Sequence, residues 1–125
     1  MKVLFCYYLP SGGTLTLNRQ REKALELVNI KSHFLYLHHG SGIKNTRQSK
    51  VWITNDDGEI QKLLQTERYD AIVVNSDADL LKRLRNLHYK NPLIYEVQGL
   101  GTISQANQYL RLKAKANINN YCDAI

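Results

Sequence analysis

The stretch that decides the fold is "MKVLFCYYLPSGGTLTLNRQREKAL", which covers residues 1–25. An apolar and aromatic run at residues 2–8 stops at Pro10, and Ser11-Gly12-Gly13 leads from there into a segment with helical periodicity. A continuous apolar run is typical of a strand that is covered on both faces of its sheet. The stretch therefore predicts a buried strand, a glycine turn and an amphipathic helix.

The rest of the chain repeats this alternation. Further strand patterns occur at residues 33–38, 51–54, 71–74 and 93–97, while the link at 40–50 has no helical period and is predicted to be a loop. Strands separated by helical segments predict an α/β fold. More specifically, we expect a Rossmann-like parallel sheet with right-handed crossovers and helices on both faces.

Capping signals mark where the later helices begin. A helix is predicted to start at Asp56, where Glu59 completes a capping box, and another at Ser76, with Asp79 in the third helical position. A last helix is predicted after Gly101, with Thr102 and Gln105 as its capping box.

The spacing of apolar residues predicts which face of each helix is buried. For the first helix we expect an apolar face and a charged, outward face. The predicted inward residues are Leu17, Ala24, Leu25 and Val28 in the first helix, Ile60, Leu63 and Leu64 in the second, Leu80, Leu81, Leu84 and Leu87 in the third, and Ile103, Ala106, Leu110 and Ala114 in the fourth; the outward residues of the first are Arg19, Glu22, Lys23 and Glu26.

Composition limits the function classes. With 125 residues and 43% apolar residues, the chain is expected to form one domain, residues 1–125. No apolar run reaches the ~20 residues of a membrane-spanning helix, and the first residues do not resemble a signal peptide. Two cysteines without metal-ligand spacing indicate buried thiols in a reducing, cytoplasmic setting. The net charge of +6 is spread over several helices, which disfavours nucleic acid but is compatible with an anionic membrane face.

The end of the chain repeats an earlier strand entry. "YDAIVVNS" at residues 69–76 enters a strand through Asp-Ala-Ile, and "YCDAI" at 121–125 offers the same three residues after a helix. We therefore expect a sixth strand to begin there, and the chain to be a truncated domain of a longer protein.

A ligand is expected where the strand order of such a sheet reverses. In the usual order 3-2-1-4-5 this crevice lies beyond the carboxyl ends of the first and fourth strands. The candidate binding residues come from the loops that follow strands one, four and five: Ser11, Gly12, Gly13, Thr14, Asn75, Ser76, Gln98, Gly99 and Gly101.

The glycine turn has two readings. Glycines at the start of a helix let a phosphate approach free N–H groups at the positive end of the helix dipole. Alternatively, Gly12 and Gly13 only make a tight turn. The standard nucleotide loops are absent, because no G-x-G-x-x-G occurs and the segment at 40–46 lacks the Gly-Lys-Ser/Thr of a P-loop. An ordinary NAD enzyme or kinase is therefore disfavoured.

Three segments together resemble the N-terminal domain of retaining glycosyltransferases of family 4, which have the GT-B architecture: residues 1–25, "YDAIVVNSDAD" at 69–79, and "LIYEVQGLG" at 93–101. The resemblance implies the acceptor-side half of a cleft, with the donor-binding C-terminal domain absent. It implies transfer of a sugar from a nucleoside-diphosphate sugar to a hydroxyl of a carbohydrate or lipid-linked acceptor. The fragment alone is expected to be inactive.

The resemblance also carries residue roles. It implies that Gly12-Gly13 approaches the donor diphosphate and that Gln98 stands where many members have a histidine contacting the transferred sugar. Glutamine can still form a hydrogen bond to a sugar hydroxyl but cannot carry a proton, so the resemblance implies a binding role and no proton transfer for Gln98. No metal or other cofactor is expected, and no catalytic residue is assigned. Localisation is expected to be cytoplasmic, with peripheral association at the inner membrane face left open.

Other polar residues have structural readings. Arg21 lies near the apolar face of the first helix, where it either contacts an anion or, the reading we favour, extends its guanidinium to solvent. Glu96 is expected to make a structural hydrogen bond, and His33 to be packed or hydrogen-bonded. The main alternative to a transferase is a self-contained Rossmann-like ligand-binding or regulatory module; an unrelated nucleotide-binding enzyme with a similar first turn is a second.

Overall fold

The computed structural model describes residues 1–8, 10, 12–39, 50–75, 77–96 and 108–125, with the backbone alone at 12–14 and 108–114. Within these ranges the strands are β1 (Lys2–Tyr7), β2 (Lys31–Tyr36), β3 (Val51–Ile53), β4 (Ala71–Asn75) and β5 (Leu93–Glu96). The helices are α1 (Gly12–Glu26), α2 (Asp57–Glu67), α3 (Ala78–Asn86) and α4 (Gln108–Tyr121). The predicted alternation of strands and helices is confirmed.

The five strands form one parallel sheet in the order β3-β2-β1-β4-β5. This is the predicted order, with its reversal between β1 and β4. The centre of the sheet is fully covered, since Leu4 and Cys6 of β1 and Leu35 of β2 have no exposed surface. The continuous apolar runs in the sequence therefore belong to strands that are buried on both faces.

Helices cover both faces of the sheet, which confirms the Rossmann-like α/β class. One face packs against α2, α3 and α4, and its core contains Ile60, Leu63, Leu80, Leu81 and Leu84, with Ile118 and Tyr121 at its margin. The other face packs against α1, and its core contains Leu15 with the aromatic residues of β1 and β2. The rings of Phe5 and Phe34 stack there with centroids 5.6 Å apart.

Of the two hydrogen bonds predicted for the capping box of α2, one is present and the other is replaced. The Asp56 side chain accepts a hydrogen bond from the Glu59 N–H at 2.9 Å. The Glu59 carboxylate does not return to Asp56 but accepts from the hydroxyl of Thr54, which in turn accepts from the Asp56 N–H. Thr54 thus joins the end of β3 to the first turn of α2, and it satisfies the N–H that the capping box would have used.

The predicted N-cap of α3, Ser76, is wrong by one residue. The helix begins at Ala78, and Asp77 is the N-cap, whose side chain accepts from the Asp79 N–H at 3.1 Å. Asp77 competes with Ser76 for this role because both residue types are good N-caps; Ser76 itself lies outside the described residues. The predicted inward residues Leu80, Leu81 and Leu84 are buried, and Leu87 is half-buried.

The predicted face of α1 is wrong. Leu17, Ala24 and Val28 are exposed, Leu25 is half-buried, and Val28 lies beyond the helix end. The buried side chains are instead Leu15, Asn18 and Glu22. Polar residues face the sheet because the strands beneath them carry hydroxyl and carboxylate partners, as the site below makes clear.

Two predictions concern the last part of the chain. The capping box of Thr102 and Gln105, and the inward residues Ile103 and Ala106, lie outside the described residues, as do the side chains of Leu110 and Ala114. At the end, Ala124 forms an isolated parallel bridge to Ile94, and the Tyr95 N–H donates to the Ala124 carbonyl at 2.9 Å. The chain therefore reaches the outer edge of β5 at Ala124; a sixth strand there remains a prediction.

Candidate functional site

The carboxyl ends of four strands meet along one edge of the sheet, the carboxyl edge. Tyr7 ends β1, Tyr36 ends β2, Asn75 ends β4 and Glu96 ends β5. Because all strands are parallel, these residues lie side by side at the edge where open α/β sheets bind ligands. The order reverses between β1 and β4, so Tyr7 and Asn75 flank the reversal.

The predicted binding residues fall into two groups. Gly12, Gly13 and Thr14 form the first turn of α1, which starts a few residues beyond β1, and Asn75 is buried at the end of β4. The first N–H groups of a helix have no partner within it, so those of α1 face outward at its start. Ser11, Ser76, Gln98, Gly99 and Gly101 lie outside the described residues, and their roles stay predictions.

The structure brings together a set of polar side chains that the pattern of the sequence did not group, which we call the Arg21 network. It joins α1 to four strands and consists of Asn18 and Arg21 of α1, Tyr7, Tyr36, Asn75 and Glu96. Each member lies at a strand end or on the sheet-facing side of α1. The network therefore occupies the carboxyl edge across the reversal of strand order.

Arg21 is the centre of the network. Its guanidinium donates to the Tyr7 hydroxyl oxygen at 2.6 Å and to the Glu96 carboxylate at 2.9 Å. It also lies over the Phe5 ring, 4.7 Å from the ring centre. The favoured reading, in which Arg21 extends to solvent, is wrong: its side chain is only 19% exposed and crosses the sheet to reach β5.

Glu96 is held from two sides, as the sequence predicts for a structural hydrogen bond. Arg21 contacts one carboxylate oxygen, and the Asn75 side-chain amide approaches the other at 3.4 Å. Asn75 thereby links β4 to β5 at the predicted crevice. The position of Asn75 beside a charged pair is the clearest link between a predicted site residue and the Arg21 network.

The other end of the network is uncharged. The Tyr7 hydroxyl donates to the Asn18 side-chain oxygen at 2.8 Å, and the Asn18 amide donates to the Tyr36 hydroxyl at 3.1 Å. The rings of Tyr7 and Tyr36 stack with centroids 5.8 Å apart. Asn18 has no exposed surface, so these bonds satisfy a polar group that would otherwise be costly to bury.

The electrostatics keep this edge nearly neutral. Burial raises the pKa of Tyr7, and the neighbouring Arg21 charge opposes that rise only in part. Tyr7 therefore remains a neutral phenol and acts as a hydrogen-bonding group. The charges of Arg21 and Glu96 offset each other, so the Arg21 network presents hydrogen-bonding groups without adding net charge.

Asp77 adds a second polar feature just beyond β4. Burial, reinforced by the nearby Asp79 charge, raises the pKa of the Asp77 carboxyl, while hydrogen bonds from the backbone of α3 act in the opposite direction. Asp79 accepts from the side-chain amide of Asn117 on α4 at 2.9 Å. These contacts tie the start of α3 to α4 and fix the wall of the crevice on that side.

A spacing signal could have located the Arg21 network. Leu15, Asn18, Glu22 and Leu25 follow the three- and four-residue intervals of one helical face, with apolar residues at both ends. Treating the two interior polar residues as buried, rather than searching for a purely apolar stripe, would have selected this face. The pairing of Arg21 with Glu96, separated by 75 residues, has no comparable local signal.

No protein-family model matches the chain, and no curated protein matches its sequence. The strand order and the carboxyl edge therefore carry the functional argument. Within the part of the chain that the structure describes, no helix combines the length and apolar character needed to cross a bilayer.

Proposed function

We propose that this chain is the N-terminal, acceptor-side domain of a GT-B glycosyltransferase, which transfers a sugar from a nucleoside-diphosphate sugar to an acceptor hydroxyl. One observation carries the proposal: the helix that leaves the central strand β1 has two glycines in its first turn, at the reversal of strand order. That is the place where open α/β sheets receive phosphate-bearing ligands.

The start of α1 supplies the electrostatic part of the mechanism. Its free N–H groups and the positive end of its dipole favour the negative charge that develops on a diphosphate leaving group. Because glycine has no Cβ atom, such a group has room to approach the backbone. This contribution needs no metal ion. The resemblance to GT-B enzymes carries the same expectation.

The neutral carboxyl edge fits an uncharged acceptor. Glu96, whose side chain is 26% exposed, is a group of the kind that accepts hydrogen bonds from sugar hydroxyls, while the buried Tyr7 and Asn75 hold it and Arg21 in place. The pairing of Arg21 with Glu96 leaves little net charge there. A hydroxyl acceptor therefore matches this edge better than a second phosphate. The carbohydrate or lipid-linked acceptor expected from the resemblance meets this requirement.

The test uses the natural protein that contains this chain. Release of nucleoside diphosphate is measured with a panel of nucleotide-sugars, and the active donor is then assayed with Gly13→Val. We expect the valine to lower kcat/KM by about 100-fold, since it displaces the phosphate from the helix start. The thermal unfolding midpoint of the variant is measured alongside, so that a loss of turnover with an unchanged midpoint is separated from a loss of folding.

Gly58→Val is the matched control, because Gly58 is also in the first turn of a helix, α2, which follows the outermost strand β3. A Cβ there meets only the Asp56 carboxylate, at 3.1 Å. We expect this variant to keep full turnover. Equal turnover in Gly13→Val and the natural protein, or no turnover with any donor, would overturn the proposal; the latter result would favour a self-contained binding module.

A further inference from the structure

A cavity of about 330 Å³ lies between the edge strand β3 and the helix α2, away from the crevice at the ends of β1 and β4. It falls within the size range of small-molecule sites. Its apolar walls are Trp52, Ile53 and Leu63, and its polar lining is Thr54, Glu59, Lys62, Thr66 and Glu67. We call it the β3–α2 cavity, and it shares no residue with the Arg21 network.

The acceptor groups in this cavity are already occupied. The Glu59 carboxylate accepts from the Thr54 hydroxyl, and the Glu67 carboxylate accepts from the Lys2 ammonium at 2.9 Å. The Lys2 contact also lowers the pKa of Glu67, so this carboxylate stays ionised and paired. Glu67 is thus paired with a cation, whereas Glu59 is bonded by a neutral hydroxyl and keeps its negative charge at the rim of the cavity.

Two donor groups of the lining, those of Lys62 and Thr66, are not occupied. Among the residues that the structure describes, Lys62 makes neither an ion pair nor a hydrogen bond, and the hydroxyl of Thr66, one turn further along α2, makes none either. The two residues lie four apart and so share a face of the helix. A ligand group that complements this pair is an acceptor carrying negative charge.

The apolar side of the β3–α2 cavity, formed around Trp52, indicates what kind of group fits beside the two donors. Trp52 is half-buried and packs on the apolar core. Its ring also contacts the ring of His33, with 5.1 Å between their centroids. An indole next to a leucine favours a flat apolar group. We propose that the β3–α2 cavity binds a small aromatic carboxylate, whose ring lies against Trp52 and whose carboxylate is held by Lys62 and Thr66.

Trp52 is the single tryptophan of the chain and provides a direct reporter. The chain is titrated with benzoate at constant ionic strength, and the indole N–H resonance of Trp52 is followed by NMR. Benzyl alcohol supplies the ring without the charge, and acetate supplies the charge without the ring. We expect benzoate to bind with a Kd of about 1 mM and each comparison compound to bind about tenfold more weakly.

Two lysine variants decide whether the cavity is responsible. Lys62→Met removes the ammonium but keeps the apolar stem, and it should weaken benzoate binding by about tenfold. Lys82→Met on α3 is the matched control, since Lys82 is exposed and does not line the cavity, and it should leave the Kd unchanged. Unaltered unfolding midpoints in both variants exclude a general effect on folding.

Three outcomes would overturn the proposal. The first is a Trp52 resonance that benzoate does not move. The second is an equal response to benzyl alcohol, which would mean that the carboxylate contributes nothing. The third is equal weakening by Lys62→Met and Lys82→Met, which would reduce the effect to the positive charge of the whole chain.

Discussion

The two faces of the sheet are packed by different means. On the face covered by α2, α3 and α4, the helices contribute leucines and isoleucine with almost no exposed surface. On the face covered by α1, the contact combines stacked aromatic rings with the buried Asn18 and the Arg21 network. Apolar packing depends on area and shape, whereas the polar packing depends on each hydrogen bond finding its partner.

This difference has a functional consequence. A polar contact layer places hydrogen-bonding groups at the carboxyl edge, where a ligand would meet them, while an apolar layer does not. The α1 face therefore both supports the fold and shapes the candidate site. The face covered by α2, α3 and α4 is mainly apolar, and the β3–α2 cavity lies at its outer margin. It also contains the buried polar pair of His33 and Tyr69, whose ring nitrogen and hydroxyl lie 2.8 Å apart.

The largest expected effect tests the apolar face. Leu84→Ala on α3 removes a side chain with no exposed surface and leaves a cavity, so the free energy of unfolding should fall by roughly 2–5 kcal/mol. Leu17→Ala on α1 is the matched control, because Leu17 is 38% exposed and should lose less than about 1 kcal/mol. Urea denaturation measures both; similar losses would contradict the observed orientation of α1.

An intermediate effect is expected on the polar face. Arg21→Met should lower the free energy of unfolding by about 1–2 kcal/mol, since it removes the guanidinium hydrogen bonds to Glu96 and Tyr7, and partial exposure of the pair moderates the loss. Combining it with Glu96→Gln gives a double-mutant cycle, in which we expect a clear coupling energy. Lys23→Met, on the outward side of α1, should change stability by less than about 0.5 kcal/mol.

The variants Arg21→Met and Lys23→Met would contradict this expectation if they were equally stable. If both variants unfolded at the same urea concentration, the Arg21 network would add nothing to the stability of the α1 face. The helix would then be held by Leu15 and the aromatic rings alone.

The smallest effect concerns the polar pair on the apolar face. Burial lowers the pKa of His33 below its ordinary value of 6.5. The unfolded chain therefore takes up a proton at His33 before the folded chain does, and stability should fall as the pH drops below 6.5. Above that pH the histidine is neutral in both states, and its contribution is constant.

His33→Asn isolates this contribution, because asparagine can still bond the Tyr69 hydroxyl but does not titrate. Urea midpoints are compared between about pH 7.5 and about pH 5.5, an interval that includes the ordinary His33 pKa of 6.5 and lies above the ordinary Glu67 pKa of 4.5, which is lowered in the fold. The variant should lose less stability than the natural chain across this interval. Parallel pH profiles for the two proteins would assign the acid sensitivity to other groups.

Much of the fold could be predicted because its signals are local. Apolar runs located all five strands, and Asp56 with Glu59 located the start of α2. The alternation of strands and helices then limited the topology, since parallel strands joined by right-handed crossovers allow few orders. Errors of one residue, as at Asp77, arise where neighbouring residues are equally good caps.

The candidate site could be predicted only in part. Asn75 and the glycines of α1 follow from their places after strands, whereas Arg21 and Glu22 were assigned to the wrong environment and Asn18 was not singled out. The usual expectation that buried helix faces are apolar fails when the strands below offer matching hydroxyls and carboxylates. The sequence of one segment does not indicate which residue of another element will be its hydrogen-bonding partner.

Periodicity and capping in the chain are enough to establish a parallel α/β sheet with its reversal between β1 and β4, because these features depend on contacts between near neighbours and on the burial of apolar groups. The rotation of α1, the ion pair of Arg21 with Glu96 and the unoccupied donors beside Trp52 emerge from folding in three dimensions. They depend on distances between residues far apart in the chain, and a hydrogen bond exists only when both of its partners are brought within reach.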